Sequence, residues 1–371
     1  MRETPPILKR EPMDMPFALL TILLLTVGLI MLFSASFPSA YYETGDYAYY
    51  FKRQLAFAAA GVLVMFIMSK LDYHLLRVAA LPLLILSLAL VVVVLIPGVG
   101  AVRNNARRWL ILGSLSIQPS ELAKLAIIVS FSASISKKKD AMHSFWRGVF
   151  PYAATLAAYG ALIGKEPHLS GAVLVVGVGA ALMFAGGIRW RYVFIGVVLV
   201  SVFAWLMLTG KVSYGQSRIA MWHDPFSDAT GEGYQLSQSL IAIGSGGLFG
   251  VGLGRSRQKF LYLPEEHNDF IFSIVCEELG YLGAGLILLL FAAIIIRGYI
   301  LSFNAPDRFG RLLIIGVITL FAMQTFLNIA VISALMPTTG ISLPLFSYGG
   351  SALLVQLFEM GIVLSVSRQI D

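Results

Sequence analysis

Apolar residues run through this chain in long blocks separated by short polar or charged clusters. Several blocks reach or approach the ~20 apolar residues needed to cross a hydrocarbon layer. Read against breakers and charges, they predict helices near 16–35, 54–69, 76–97, 119–135, 147–164, 170–186, 192–209, 269–296, 311–335 and 350–367. The fold class expected is an all-α polytopic membrane protein of about ten transmembrane helices. So many blocks leave little chain for a soluble domain, so residues 1–371 are expected to form a single membrane domain. Phe17 to Leu32 is read as a retained first helix, because no small-residue cleavage site follows it.

Composition narrows the class further. The chain is 58% hydrophobic and only 13% charged, against roughly one-quarter charged residues in an ordinary soluble domain. Cys276 is the single cysteine, which rules out an intrachain disulfide or a cysteine-built metal site. The net charge of +7 is read as partly topological, not as a nucleic-acid footprint, since cytoplasmic loops favour Lys and Arg. An even number of spans puts Lys137-Lys138-Lys139, Arg189, Arg191, Arg297, Arg308 and Arg311 on the side of both termini, so that side is read as cytoplasmic.

Other cations then fall on the outward side and call for compensation. Arg103, Arg107 and Arg108 precede the fourth span, Lys124 enters it, and Lys211, Arg218, Arg255, Arg257 and Lys259 lie in a long extracytoplasmic loop, about 210–268, between spans 7 and 8. That loop far exceeds the ~12–15 residues of ordinary connections. Its stretch from Tyr234 to Leu253 is apolar with Gln, Ser and Gly, which predicts an interfacial or re-entrant helix.

Two groups of residues could carry chemistry. The fourth span opens Gln118-Pro119-Ser120-Glu121, with Lys124 one turn later. Capping is one account of Ser120 and Glu121; a functional Glu121–Lys124 pair is the other, because ionisable groups entering an apolar span are costly unless paired or hydrated. The second group, Gln258 to Asp269, ends at the mouth of the eighth span. Asp269 reads either as an N-cap or as a general base whose proton affinity is raised at the edge of low dielectric. Glu277 and Glu278 are expected to pair structurally inside the bundle. His168 and His267 do not stand at metal-ligand spacing. Gly244-Ser245-Gly246-Gly247 and the stretch Pro344 to Ser351 are not nucleotide motifs and read as irregular backbone beside a cavity.

The chain resembles the SEDS family of bacterial cell-wall proteins, the FtsW, RodA and SpoVE group. The resemblance rests on Arg108-Trp109, Gln118-Pro119-Ser120-Glu121 with Lys124, Gly233-Tyr234-Gln235 with Gln238-Ser239, Ile243 to Gly247, Leu263-Pro264-Glu265 with His267 and Asp269-Phe270-Ile271-Phe272, Glu277 to Gly280, and Leu343-Pro344 with Ser347 to Ser351. Gly252-Leu253-Gly254, Ser256, Gln258-Lys259 and Tyr262 to Glu265 look closer to the division and sporulation branch.

This resemblance implies a peptidoglycan glycosyltransferase that polymerises lipid II outside the cytoplasmic membrane, releasing undecaprenyl pyrophosphate. It also implies a class B penicillin-binding protein as partner, among other divisome or elongation-complex membrane proteins. Carried over by position, the catalytic residues are Asp269, Glu121 and Lys124. The substrate-binding set is Arg108, Trp109, Gln118, Ser120, Arg218, Gln235, Gln238, Ser245, Lys259, Glu265, His267 and Ser347. No cofactor is assigned. Mg²⁺ or Mn²⁺ would suit a pyrophosphate leaving group, but the sequence presents no carboxylate cage. Asn268 replaces the family's usual Thr, and Glu166-Pro167-His168 replaces its usual Gln-Pro-Asp. A lipid-linked precursor flippase and a non-catalytic scaffold stand as alternatives.

Overall fold

The computed structural model describes residues 12–103, 106–113, 115–138, 140–166, 169–208, 221–228, 231 and 233–370. Its long helices are α1 (Met15–Thr44), α2 (Tyr49–Lys70), α3 (Leu75–Leu95), α4 (Pro119–Lys137), α5 (Phe150–Lys165), α6 (Leu169–Ala185) and α7 (Trp190–Leu208). The short α8 (Tyr234–Ser245) is followed by α9 (Ile271–Phe303), α10 (Arg308–Ile332) and α11 (Gly350–Ser367). Apart from α8, each corresponds to one apolar block of the sequence. Six of them, α1, α2, α3, α9, α10 and α11, are long and apolar enough to cross a membrane by length and composition. In α4, Glu121, Lys124 and Lys137 interrupt the apolar run.

Short connections make successive helices antiparallel. The starts of α2, α4, α9 and α11 therefore share one end of the bundle with the last turns of α1 and α5. At that end the chain between α3 and α4 forms a three-stranded antiparallel sheet, β1 (Gly100–Arg103), β2 (Ala106–Leu112) and β3 (Leu115–Ile117). The sequence reading does not contain this sheet. Gly113, at φ 63°, turns β2 into β3, and a bulge between Ala101 and Val102 offsets β1 against β2.

Helix α4 is the hub. Ala123 and Ala126 to Val129 are fully buried, and the helix packs on α3, α6, α10 and α11. Helices α2 and α11 run side by side in close contact. A Cβ at Gly361 would come within 2.8 Å of the Met65 carbonyl oxygen, the close backbone approach that small residues permit between membrane helices. At the opposite end two aspartates tie the helices together. Asp14 caps α1 through the Phe17 amide (2.9 Å) and pairs with Arg297. Asp307 caps α10 through the Gly310 amide (2.7 Å) and accepts from the Tyr73 hydroxyl (2.8 Å).

Helix α9 is broken at Gly280, whose φ of 67° and ψ of −174° lie outside helical space. The glycine-rich segment after α8 packs into this break. Val251 and Gly252 amides donate to the carbonyls of Glu277 and Glu278 (2.9 and 3.0 Å), and Tyr281 and Leu282 amides donate to Gly247 and Leu248 (2.9 and 3.1 Å). The exchange pairs the groups freed by the break, as irregular backbone at membrane depth requires. A Cβ at Gly280 would meet the Gly250 nitrogen at 2.3 Å. Gly280→Ala is expected to cost about 1–3 kcal/mol, read as a lower thermal unfolding midpoint in detergent with faster proteolysis near residues 247–263.

Candidate active site

The turn from Glu265 to Phe270 holds its shape through backbone groups gripped from α10 and from the segment before α11. The Tyr348 amide donates to the His267 carbonyl (2.9 Å) and Ser347 Oγ to the Asn268 carbonyl (2.7 Å). Asn328 Nδ2 donates to the carbonyls of both Asp269 and Ile341 (2.7 Å each). Three consecutive carbonyls are thus fixed. Glu265 sits at φ 57°, a left-handed conformation uncommon for a residue with a Cβ, and its carbonyl accepts from the amides of Asn268 and Phe270. Asn328→Ala would leave two carbonyls short of a donor, and is expected to cost about 1–3 kcal/mol of stability with a fall in turnover. Thermal unfolding together with single-turnover kinetics would check it.

Asp269 is not the N-cap that one reading of the sequence allowed. Helix α9 starts at Ile271, Phe270 stands at the cap position, and no side chain caps the helix. Among the described residues nothing donates a hydrogen bond to the Asp269 carboxylate, which is half-buried with one oxygen facing Gly340. The clamp acts on its backbone and leaves its side chain uncommitted. Burial, reinforced by the nearby Glu265 charge, pushes Asp269 up to about 6, against the opposing pull of Arg108 and His267.

Arg108, on β2, thereby lies within electrostatic reach of Asp269. Its Nε donates to the Glu166 carbonyl at 3.4 Å. The Glu166 side chain, at the end of α5, is fully buried, and neither carboxylate oxygen has a hydrogen-bond partner among the described residues. Burial pushes it up to about 8, with Arg108 opposing. His267 lies stacked on Tyr50 at 4.4 Å and edge-on to Tyr348 at 5.9 Å. Burial disfavours its charged form, but the hydrogen bond to Glu266 and the fields of Glu266, Glu265 and Glu43 outweigh that and raise its pKa.

A second cluster lies inside the bundle. Lys124 Nζ is 2.8 Å from Glu121 Oε1, both nearly inaccessible. Gln118 occupies the cap position of α4 without a side-chain cap bond, so Glu121 serves the ion pair. Glu359 of α11 is buried within electrostatic reach of both, and its Oε1 has no partner among the described residues. The sequence reading missed Glu359. Its signal was a carboxylate well inside the last apolar block.

Other expected substrate contacts are placed differently. Lys259 is fully buried; its Nζ donates to Glu278 Oε1 at 2.7 Å and stands 4.7 Å over the Phe37 ring. Glu278 also accepts from Ser34 Oγ (2.6 Å), while Glu277 accepts from the Arg257 amide (2.9 Å) and from Ser256 Oγ. The two glutamates therefore pair structurally, as expected, but with the loop between α8 and α9, and Lys259 is withdrawn from the substrate set. Ser347 is likewise committed: besides donating to Asn268, its Oγ accepts from the Leu343 amide (2.7 Å).

Ser245 is exposed and bonds within its own helix, to the Ala242 carbonyl (2.9 Å). Gln235 donates to the Pro264 carbonyl (3.3 Å), which lays α8 beside the Glu265 turn. Gln238 is half-buried on the same helix. Trp109 pairs with Ala101 across β1 and β2, and Ser120 is buried. Arg218 and His168 lie outside the described residues. Among those described, no group of three or more His, Cys, Asp or Glu side chains stands ready to hold a metal ion.

The sequence profile of the FtsW/RodA/SpoVE family, described as "Cell cycle protein", matches residues 15–371. The chain belongs to the FtsW/RodA/SpoVE family. It is 43% identical to stage V sporulation protein E of Bacillus subtilis (strain 168) over 361 residues, covering 97% of this chain and 98% of that protein. A probable peptidoglycan glycosyltransferase FtsW of Geobacter metallireducens is 39% identical over 359 residues, covering 97% and 96%.

Among solved structures, a chain of a peptidoglycan synthase complex, described as coordinating polymerization and crosslinking, superimposes with a TM-score of 0.80 at 28% identity, covering 96% of this chain and 98% of that one. RodA of Thermus thermophilus, a rod shape determining protein, gives 0.71 at 28%, covering 96% and 97%. The multi-pass helical fold expected from the sequence is the fold of these FtsW/RodA/SpoVE proteins, and the higher identities to SpoVE and FtsW agree with the division and sporulation branch.

Proposed function

We propose that this membrane protein is a peptidoglycan glycosyltransferase polymerising lipid II into β-1,4 glycan strands at the outer face of the cytoplasmic membrane, with Asp269 as its general base. One observation carries the reading: a carboxylate clamped through its backbone, with no side-chain hydrogen bond among the described residues, which burial raises to about 6 within electrostatic reach of Arg108. That is what deprotonating a sugar hydroxyl at neutral pH needs. Asp269 takes the proton of the acceptor GlcNAc 4-hydroxyl as that oxygen attacks the anomeric carbon of the donor MurNAc, inverting it. Undecaprenyl pyrophosphate leaves, and Arg108 answers the developing charge.

Glu121 and Lys124, with Glu359 beside them, form a charged floor in the bundle that fixes the start of α4 and supplies a cation in low dielectric. Trp109, Gln118, Gln235, Gln238, Glu265 and His267 line the approach to Asp269 in this reading. Among the described residues the acidic and histidine side chains do not compose a resident metal site, and no step is routed through Mg²⁺ or Mn²⁺. Both termini are assigned to the cytoplasm from the Lys and Arg distribution. The partner is a class B penicillin-binding protein, in line with the synthase complex that contains a chain of this fold.

Glu359 keeps one competitor in play, since carboxylates and a lysine inside a bundle also suit a path for a lipid-linked precursor. The two separate in one experiment. The purified chain, with its cognate partner inactivated at the transpeptidase serine, receives labelled lipid II in detergent. Glycan polymer with one undecaprenyl pyrophosphate released per bond is expected. No polymer where a control synthase works, combined with transbilayer movement of lipid II in vesicles, would replace the enzyme by a flippase.

A further inference from the structure

At the bundle end opposite Asp269, a cavity of about 400 Å³ lies between the start of α3, the end of α4 and the start of α5. Much of its wall is apolar, from Leu81, Leu84, Phe131 and Pro151, while Arg77, Lys137 and Lys138 supply three cations and none of the described lining side chains is acidic. Lys137 is exposed and has no ion pair or hydrogen bond among the described residues. Lys138 is held beside the cavity by the Arg147 carbonyl (3.2 Å) and the Tyr152 ring (5.0 Å). Arg77 is fixed by Asp307 (3.2 Å) and by stacking on Phe309 (4.7 Å), with its Nε left unpartnered among the described residues. Tyr152 donates to Ser134 Oγ (2.8 Å), which leaves the serine proton available to an acceptor.

The cavity reaches the lipid-facing surface. Leu81, one of its walls, is 64% exposed, and its neighbour on α3, Val78, is 80% exposed. Exposed Trp146 stands just before α5, where an amphipathic aromatic marks a membrane interface. An apolar slot open towards hydrocarbon, with Lys137 and Lys138 in no ion pair among the described residues, complements a molecule with an anionic head and an acyl tail. A soluble phosphate would use only the cations, and an acidic peptide would not enter from the hydrocarbon side.

We propose that this cavity binds an anionic phospholipid, its phosphate held by Lys137 and Lys138 and an acyl chain laid along Leu81, Leu84 and Pro151. The site is independent of the chemistry at Asp269. The test is native mass spectrometry of the full chain released from nanodiscs of equimolar phosphatidylglycerol and phosphatidylcholine. Wild type retains phosphatidylglycerol selectively. The double variant Lys137→Gln/Lys138→Gln is expected to lose about tenfold in that retention, Leu81→Trp to lose it by filling the slot with the charges intact, and Lys70→Gln, at the same bundle end, to change nothing. Unfolding midpoints of all variants are measured alongside. Equal retention by wild type and the double variant, equal retention of the two lipids by wild type, or displacement of phosphatidylglycerol by millimolar inorganic phosphate would each overturn the proposal.

Discussion

Asp269→Asn is expected to abolish glycan-strand formation while leaving the fold intact. The substitution is isosteric, and the contacts that hold residue 269 are made by its backbone carbonyl and those of its two predecessors. No side-chain hydrogen bond is lost, so a fall in rate reports chemistry. Removing a general base typically costs about 10²–10⁴-fold. The pH dependence adds a sharper test. The working form is the carboxylate, so the wild-type rate should rise with pH through about 6 and level off above it; in the variant that limb should vanish.

The stability sign is opposite to that of a salt-bridged aspartate. A folded pKa raised from 3.8 to about 6 means that the protonated form suits the fold better, so the penalty sets in as pH climbs through that window and persists above it. The Asn variant should accordingly be no less stable than wild type at neutral pH. Equal polymer from both proteins would remove Asp269 as the base and leave the enzyme to work through another group; no polymer from either, where a control synthase works, would revive the scaffold reading.

The helices were legible because their apolar blocks are long, and membrane spans need little beyond length and hydropathy to be seen. What the blocks hide is how they are interrupted. Gly280 lies inside a block read as one span, two residues after the Glu277-Glu278 pair, and only the packing of residues 247–252 into the helix reveals the break. Helix α1 continues to Thr44 through Pro38, beyond the apolar block that predicts it. The sheet at residues 100–117 is built from strands of three to seven residues inside one connection, too short for period-2 alternation to stand out.

The candidate site divides in the same way. Arg108, Glu121, Lys124 and Asp269 could be singled out because charge beside or inside an apolar block is costly. The family resemblance put Lys259 in the substrate set, but its loop folds back so that the lysine pairs with Glu278. Glu359 escaped because its partners on α4 are more than two hundred residues away. The N-cap reading of Asp269 failed by one residue, since the tight turn from Glu265 moves the cap position to Phe270 and the helix start to Ile271.

Lys259→Met should show what the buried pair does. Lys259 and Glu278 are both 0% exposed, and removing the cation strands a carboxylate that, among the described residues, retains Ser34 and the Ser256 amide as donors. Breaking a buried ion pair from one side costs about 3–5 kcal/mol, a large share of the stability of an ordinary domain. The loop between α8 and α9 should loosen first, because residues 256–259 are anchored there, and proteolysis at residues 247–263 should accelerate before global unfolding. Adding Glu278→Gln removes the unpaired charge while keeping an acceptor for Ser34, so the double variant should be more stable than Lys259→Met alone. Activity separates a structural lysine from a substrate-binding one. If Lys259 holds the loop, folded variant protein below its unfolding temperature should polymerise at near wild-type turnover, and the double variant should recover both stability and yield. A selective loss of turnover in fully folded protein, not rescued by Glu278→Gln, would instead return Lys259 to the cations that meet the pyrophosphate.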